Sequence, residues 1–298
     1  MALQSSGSIS LAQIAAEFND SQPHSLSEFY VGGSAGVTSG GAPNVPSSGT
    51  ISISQFYGAS NQVTVTISSS ENNVNVSSKF GSNFSSSIPK VLVINSGVEL
   101  GATSLSNYAL QVPSGMGGTL TIQNAGTLSG AGGDGSTSTS NAGGTGGTAL
   151  YIASNNVTVT NTGTIRGGGG GGGKGADGAS NFVGGGNFRC QGGAGGNGGN
   201  GQGFDQSQSN GAGGGARLAY LSYLYPNSPG AGPSTFECDA SGVYQNGGNG
   251  GNGGTYGNAG GNGGNGGSNG GPAGKYIQNA SGISHSLSNS GTLQGNAP

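Results

Sequence analysis

The chain has 298 residues, of which 70 are glycine and 31% are hydrophobic, with 7 Lys+Arg, 10 Asp+Glu and a net charge of −3. An ordinary globular domain is roughly 45–50% apolar with glycine counted; here glycine supplies so much of that share that an enzyme built on a large aliphatic core is disfavoured. The low charge argues against a polyelectrolyte-like disordered chain and against a nucleic-acid footprint; 10 prolines without a strict Gly-X-Y register exclude collagen.

The start, Met1-Ala2-Leu3-Gln4-Ser5, has neither a basic nor an apolar stretch. No secretory signal is therefore expected. No segment approaches 18 consecutive apolar residues, so membrane insertion is not expected either. Synthesis in the cytoplasm followed by release on lysis would reconcile this with a composition rich in Ser, Thr, Asn and Gly.

Residues 1–61 carry an internal repeat. Ser6-Gly7-Ser8-Ile9-Ser10-Leu11-Ala12-Gln13-Ile14 matches Ser48-Gly49-Thr50-Ile51-Ser52-Ile53-Ser54-Gln55-Phe56, and Ser25-Leu26-Ser27-Glu28-Phe29-Tyr30 is a shorter copy. Each copy contains Ser-x-x-Gln/Glu, the capping box that starts a helix. Ile9 with Ile14, and Ile51 with Phe56, have the spacing of a hydrophobic staple. His24 takes the same position ahead of Phe29 and reads as a residue leading into a helix, in preference to a catalytic group. Three short helices are expected. With so few large apolar residues they should bury little core alone. The segment therefore reads as a docking module completed by a partner, with Ile9, Leu11, Ile14, Phe18, Leu26, Phe29, Tyr30, Ile51, Ile53, Phe56 and Tyr57 as candidate contacts.

From residue 62 the period changes to two. Val63, Val65 and Ile67 alternate with threonine, and Val91-Leu92-Val93-Ile94 follows as an apolar run. These are strand signals. A second repeat then appears: Leu120-Thr121-Ile122-Gln123-Asn124-Ala125-Gly126-Thr127-Leu128 aligns with 157–165 and with 285–293, and 91–97 is a partial copy. Each reads as strand, Asn-x-Gly turn, short strand. Shorter apolar stretches precede it at 108–112, 149–152 and 276–277. Stacked units of this kind predict a β-helix-like or β-prism layer over 62–166. The last copy returns after the glycine region, so that region is either an insertion or a fold-back onto the β layer.

Residues 167–298 hold the longest glycine runs. They include 167–173, 192–201, 247–254 and 260–267, several with asparagine at every third position. Three residues per turn is the repeat of a polyproline-II-type helix. Two of its edges would then carry only glycine, letting backbones approach and pair between helices. A bundle of polyglycine-II helices is expected; flexible linkers are the alternative. Between the runs lie aromatic segments with Phe182, Phe188, Phe204, Tyr220, Tyr223, Tyr225, Phe236 and Tyr244. Loops on a rigid scaffold commonly carry recognition, and tyrosine suits saccharide or protein surfaces. A small internal core within 217–245 is the other reading. Cys190 and Cys238 either form a disulfide across a long loop or stay reduced, and two thiols cannot hold a metal unaided.

Catalytic constellations are missing. No Gly-x-Ser-x-Gly elbow, His-Glu-x-x-His pair or calcium loop is convincing, and Lys174 is followed by glycine where a phosphate loop needs Ser or Thr. Asp205, Glu237 and Asp239 could form a glycosidase pair only with support from the fold. No enzyme activity, cofactor or metal is expected.

The Gly-Gly-x runs with interleaved aromatic loops resemble the receptor-binding adhesins at the tail-fibre tips of T-even-type bacteriophages. The likeness covers about the second half of the chain. It implies a polyglycine-II sandwich whose loops contact a host receptor. The paired Ser-Gly-x-Ile-Ser-Leu/Ile-x-Gln motifs at 6–14 and 48–56 separately resemble segments of phage tail and virion proteins. The β-rich middle departs from the adhesin pattern. Mycobacterial glycine-rich proteins resemble 192–199 but begin with a helical domain absent here; glycine-rich antifreeze proteins lack the capped N-terminal module. The expected class is mostly β and irregular, and the expected function is a tail-fibre tip adhesin of the virion. Expected partners are other phage tail or fibre proteins and a host outer-surface protein or glycan, with a homotrimer considered. A tail or capsid decoration protein without receptor binding is the alternative.

Overall fold

The computed structural model describes residues 2–178, 181–183, 188–191, 193–214, 218–220 and 246–298. Strands dominate and helices are few. All three N-terminal copies start a helical turn: the cap N–H of Ser10, Ser25 and Ser52 donates to the side chain of Gln13, Glu28 and Gln55, each at 2.8 Å. Only the first continues as an α-helix, Leu11–Phe18, through the helix-favouring Ala15 and Ala16. The other two, Leu26–Phe29 and Ile53–Phe56, are single 3-10 turns, ended by Tyr30 and Tyr57.

These turns close a core of their own, which corrects the expectation that the segment buries little core alone. Three rings supply the bulk that aliphatic residues lack. Phe18, Phe29 and Phe56 have centroids 6.2, 6.4 and 6.1 Å apart in tilted and edge-on geometry, and each buries roughly 150–250 Å². Ile14, Ala15, Val37, Ala42 and Ala59 complete the cluster. Of the candidate docking contacts, Ile9, Ile14, Phe18, Phe29 and Phe56 therefore point inward. Leu11, Leu26, Tyr30, Ile51, Ile53 and Tyr57 stay half-buried at the surface.

Among the described residues beyond 62, three sheets of parallel strands form the main body, beside one small antiparallel sheet. The first runs Val63–Ile67, Lys90–Ile94, Leu120–Asn124, Val157–Asn161, His285–Asn289. The second runs Glu71–Asn72, Glu99–Gly101, Thr127–Ser129, Thr164–Arg166, Thr292–Gln294. The third runs Val74–Asn75, Leu110–Val112, Leu150–Ile152, Ile277–Asn279. Each sequence copy thus gives one strand to the first sheet and one to the second, the third sheet takes its four strands from the short stretches between copies, and the strands stack in register. Leu92, Ile122, Val159, Leu100, Leu128, Ile165, Leu110, Leu150 and Ile277 are fully buried between the sheets.

Two details of this stack refine the sequence alignment. The partial copy is offset by one: Lys90, and not Val91, pairs with Leu120. Residues 95–98 then separate its two strands, where the next copy needs only Ala125 and Gly126. Because strand side chains alternate, a slip of one residue would turn Leu92 and Ile94 outward. The correct register places Lys90 inward, 1% exposed. Its ammonium donates to the carbonyls of Ser86, Ile88 and Gly117, each at 2.8 Å, while burial lowers its pKa. The asparagines of the repeat form a ladder. Asn124 Nδ2 donates to Asn161 Oδ1, and Asn161 Nδ2 to Asn289 Oδ1, both at 2.7 Å. Asn124 Oδ1 is buried without a hydrogen-bond partner, because the next rung is Ile94.

The last copy pairs directly with the one before it: His285 with Val157, and Ile277 with Leu150. The glycine region is therefore an insertion between adjacent layers. Its centre is 167–178. Gly168 and Gly171 donate to Gly147 and Gly144; Gly169, Gly172 and Gly175 donate to Gln202, Gly199 and Gly196; Gly170, Gly173 and Ala176 donate to Asn258, Gly261 and Gly264. Its carbonyls accept from three other segments, through Gly133 and Ser136, Gly254, Gly251 and Gly248, and Gly274, Gly271 and Ser268. The partner changes with each residue and recurs every third. A Cβ at Gly172 would lie 1.9 Å from the Gly251 carbonyl oxygen, so these segments require glycine for close approach.

Candidate recognition face at the tips of the glycine segments

Hydrogen-bond partners give each segment a direction. The central segment leaves the strand Thr164–Arg166 and runs away from the β stack. Segment 193–203 returns antiparallel to it, since Gly178 donates to Gly193 and Gly169 to Gln202. Segments 130–136 and 258–264 run outward beside it, whereas 143–147 and 267–274 run back. Two ends result. Arg166, Phe204, Tyr256 and Lys275 lie at the base against the β stack. The turns 137–142 and 265–266 lie at the tips.

The tips also carry a small antiparallel sheet of Asn181–Val183, Phe188–Gln191 and Leu218–Tyr220. Its register sets Phe182 opposite Arg189, Val183 opposite Phe188, and Arg189 opposite Tyr220. Phe182, Phe188 and Tyr220, separated in sequence by glycine runs, are thereby brought to one end. Cys190 sits on the middle strand, opposite Asn181 and Ala219. Tyr223, Tyr225, Phe236, Cys238 and Tyr244 lie outside the described residues, between Tyr220 and Asn246.

Phe204 is corrected. It lies at the base, its N–H donating to the Gly130 carbonyl at 3.0 Å. Its half-buried ring covers Gly101, where a Cβ would stand 2.1 Å from Phe204 Cγ. The missing side chain at Gly101 makes the seat, so Phe204 anchors the glycine region to the β stack. Asp205 beside it accepts from the Gly132 N–H at 2.8 Å. A polar cluster adds a second anchor. Arg166 donates to Ser129 Oγ at 2.9 Å and to Glu99 Oε1 at 3.0 Å, while its guanidinium carbon sits 3.8 Å from the Tyr256 ring centroid. Such a cation–π contact contributes about 0.5–2 kcal/mol. Burial raises the Tyr256 pKa, and the nearby Arg166 charge opposes that rise.

One tip element was missed by sequence reading. The turn 137–142 is exposed. The buried Ser136 hydroxyl lies 2.7 Å from the Ser138 and Asn141 carbonyls and accepts from the Ser138 N–H at 3.2 Å. The cue was the hydroxyl run Ser136-Thr137-Ser138-Thr139-Ser140-Asn141 between two glycine segments. The role of the periodic asparagines was also missed. Asn200, Asn249, Asn252 and Asn262 accept from the N–H of Gly135, Gly214, Gly211 and Gly270 at 2.9–3.0 Å. At these edge positions a side-chain amide replaces the carbonyl of a neighbouring segment.

Glycine segments rooted in a parallel β stack, with varied loops carried to the far end, define a glycine-rich scaffold with its loops gathered at one end. Residues 62–298 match the family model of the phage tail fibre adhesin Gp38, and the chain belongs to that family. Its place is accordingly the tail fibre of a bacteriophage virion. The fold is similar to a chain of the gp37-gp38 adhesin tip complex of the bacteriophage S16 long tail fiber: 20% sequence identity, 100% coverage of both chains and a TM-score of 0.51. Comparison with curated proteins found no match.

Proposed function

We propose that this chain is a tail-fibre tip adhesin that holds the fibre through residues 1–61 and binds a host-surface protein or glycan through its glycine-segment tips. In this reading 62–166 is a β-helix-like scaffold, and 167–298 a polyglycine-II bundle closed by the last β copy. The period-three exchange of hydrogen-bond partners along 167–178 supports the polyglycine-II description, since that helix has three residues per turn. The observation that carries the receptor assignment is topological. The segment directions bring Phe182, Phe188, Tyr220 and both flanks of 221–245 to the end opposite the β stack, together with turns 137–142 and 265–266. Tyr223, Tyr225, Phe236 and Tyr244 are the further candidates within that segment. Attachment to other tail-fibre proteins is supported by the similar chain's having been solved within a gp37-gp38 adhesin tip complex.

The test replaces 221–245 by a Gly-Ser linker in the phage. Adsorption to host cells should fall at least tenfold while the chain still assembles into particles and keeps its melting temperature. Undiminished adsorption would sink the receptor assignment, and would favour a spacer role.

A further inference from the structure

Asparagine followed by glycine is the dipeptide that closes most readily to a cyclic imide, because no Cβ hinders the glycine nitrogen as it reaches the asparagine side-chain carbon. The chain has nine such pairs, at asparagines 197, 200, 210, 246, 249, 252, 262, 265 and 269. The fold does not treat them alike. In seven of them the glycine N–H donates to another part of the chain at 2.8–3.0 Å: Gly198, Gly201, Gly250, Gly253 and Gly263 to carbonyls, and Gly211 and Gly270 to the side chains of Asn252 and Asn262. A nitrogen held in this way keeps its proton until the segment opens. Four of the asparagine side chains, at 200, 249, 252 and 262, are held as well, each accepting an N–H from a neighbouring segment. In the eighth pair Gly247 is buried, and a Cβ there would lie 2.0 Å from the Ala194 carbonyl oxygen.

Asn265 and Gly266 stand apart. They are the central residues of a turn at the tips, closed by the Gly267 N–H donating to the Gly264 carbonyl at 3.1 Å. Their φ angles are 55° and 76°, the type I′ geometry that an Asn-Gly pair adopts easily. Both residues are exposed. Nothing lies within 4 Å of a Cβ built on Gly266, and among the described residues its N–H has no acceptor. The Asn265 side chain makes one bond, Nδ2 donating to the Asn246 carbonyl at 3.1 Å. Asn246 is the first described residue after 221–245. The bond therefore ties the turn to the point where that segment rejoins the glycine bundle.

We propose that Asn265 is a deamidation site and that its conversion releases this tie. Hydroxide removes the Gly266 amide proton, and the nitrogen attacks Cγ of Asn265. A bond forms between that nitrogen and Cγ, the Cγ–Nδ2 bond breaks, and ammonia leaves with a proton from water, which restores the hydroxide. Water then opens the ring at one of its two carbonyls to give aspartate or isoaspartate. One water is consumed and one ammonia released, with no oxidant or reductant. The new carboxylate has no hydrogen to donate, so it repels the Asn246 carbonyl that the amide held. Isoaspartate also lengthens the main chain by one carbon and spoils the turn. The change is spontaneous and slow, so a released particle carries a tip that ages. The effect on adsorption rests on the proposed recognition role of the tips, whereas the conversion itself does not.

The test incubates the full folded chain at mildly alkaline pH and maps every Asn-Gly peptide by mass spectrometry, with isoaspartate labelled by its methyltransferase. The 265 peptide should convert at least about tenfold faster than any of the other eight, at a rate proportional to hydroxide, while the urea-unfolded chain should convert all nine at similar rates. No conversion at 265, or equal rates among the nine in the folded chain, overturns the assignment. Phage carrying Asn265→Asp should adsorb on the order of tenfold less than the parent, the worth of one lost hydrogen bond with added repulsion. Aged parent particles should lose adsorption relative to their fresh stock, and aged Asn265→Gln particles should keep theirs. Conversion at 265 with undiminished adsorption overturns the link to recognition and leaves the chemistry standing.

Discussion

Replacing Gly172 by alanine tests the central claim about how this chain is held together. Gly172 is buried in the middle of the central segment. An added Cβ would stand 1.9 Å from the Gly251 carbonyl oxygen and 2.5 Å from its carbon, where non-bonded heavy atoms need about 3.5 Å. Segments 167–178 and 246–256 would have to separate by about 1.5 Å. That breaks the bonds of Gly251 to Gly173 and of Gly199 to Gly251, both 2.8 Å. Two buried backbone pairs left unmade cost about 1–3 kcal/mol each. The lower entropy of an unfolded alanine returns about 0.4–1 kcal/mol. The net expectation is a loss of about 2–5 kcal/mol, read from urea unfolding, with faster hydrogen exchange at glycines 168–175. Gly213 is the control. Nothing lies within 4 Å of its would-be Cβ, so Gly213→Ala should be neutral or stabilise by up to about 1 kcal/mol. If both variants behaved alike, the glycine segments would be independent linkers and the reasoning would fail.

Three further outcomes are expected. Asn161→Ala, which removes the middle rung of the ladder, should cost about 2–4 kcal/mol in urea unfolding, whereas Asn289→Ala at the exposed end should cost under about 1 kcal/mol; equal losses would show that the ladder is not a unit. Lys90→Met strands three carbonyls and should cost about 3 kcal/mol or more. Folded Lys90 also releases its proton below the 10.5 of a free lysine. Between those two values the unfolded chain binds more protons, so this group makes stability rise with pH there. Melting curves over that window should show the rise in the native chain and not in Lys90→Met. Finally, Gly101→Ala displaces the Phe204 ring and Phe204→Ala removes it, each at a cost of about 1–3 kcal/mol. The double variant should cost less than the sum, because the new methyl fills the vacated seat; strict additivity would mean that the ring does not sit on Gly101.

Local signals were readable from the sequence where chemistry is local. The Ser-x-x-Gln/Glu boxes at 10–13, 25–28 and 52–55 announce helix starts because cap and partner are three residues apart. The Asn-x-Gly copies at 120–128, 157–165 and 285–293 announce equivalent strands because side chains alternate along a strand. Period three in the glycine runs exposes bare edges. None of these patterns states which element meets which. That 285–293 lies on 157–165 is decided by strand pairing across the whole glycine region, and the offset of 91–97 by one goes with the longer connection 95–98 and with burying Lys90 among three carbonyls.

The candidate site divides along the same line. Aromatic loops between glycine runs stood out by composition. Which of them gather was decided by the direction of each segment: Phe182, Phe188 and Tyr220 are carried to the tips, while Phe204 is turned back onto Gly101 at the base. The three N-terminal copies were visible as a repeat, yet how they hold one another rests on Tyr30 and Tyr57 reaching carbonyls 19 and 50 residues away. The sequence by itself determined where backbones can touch, because only glycine leaves room for it. The tertiary structure decided which backbones do, because the N–H groups of these segments find their acceptors, carbonyls for the most part and side chains at the edges, on other parts of the chain.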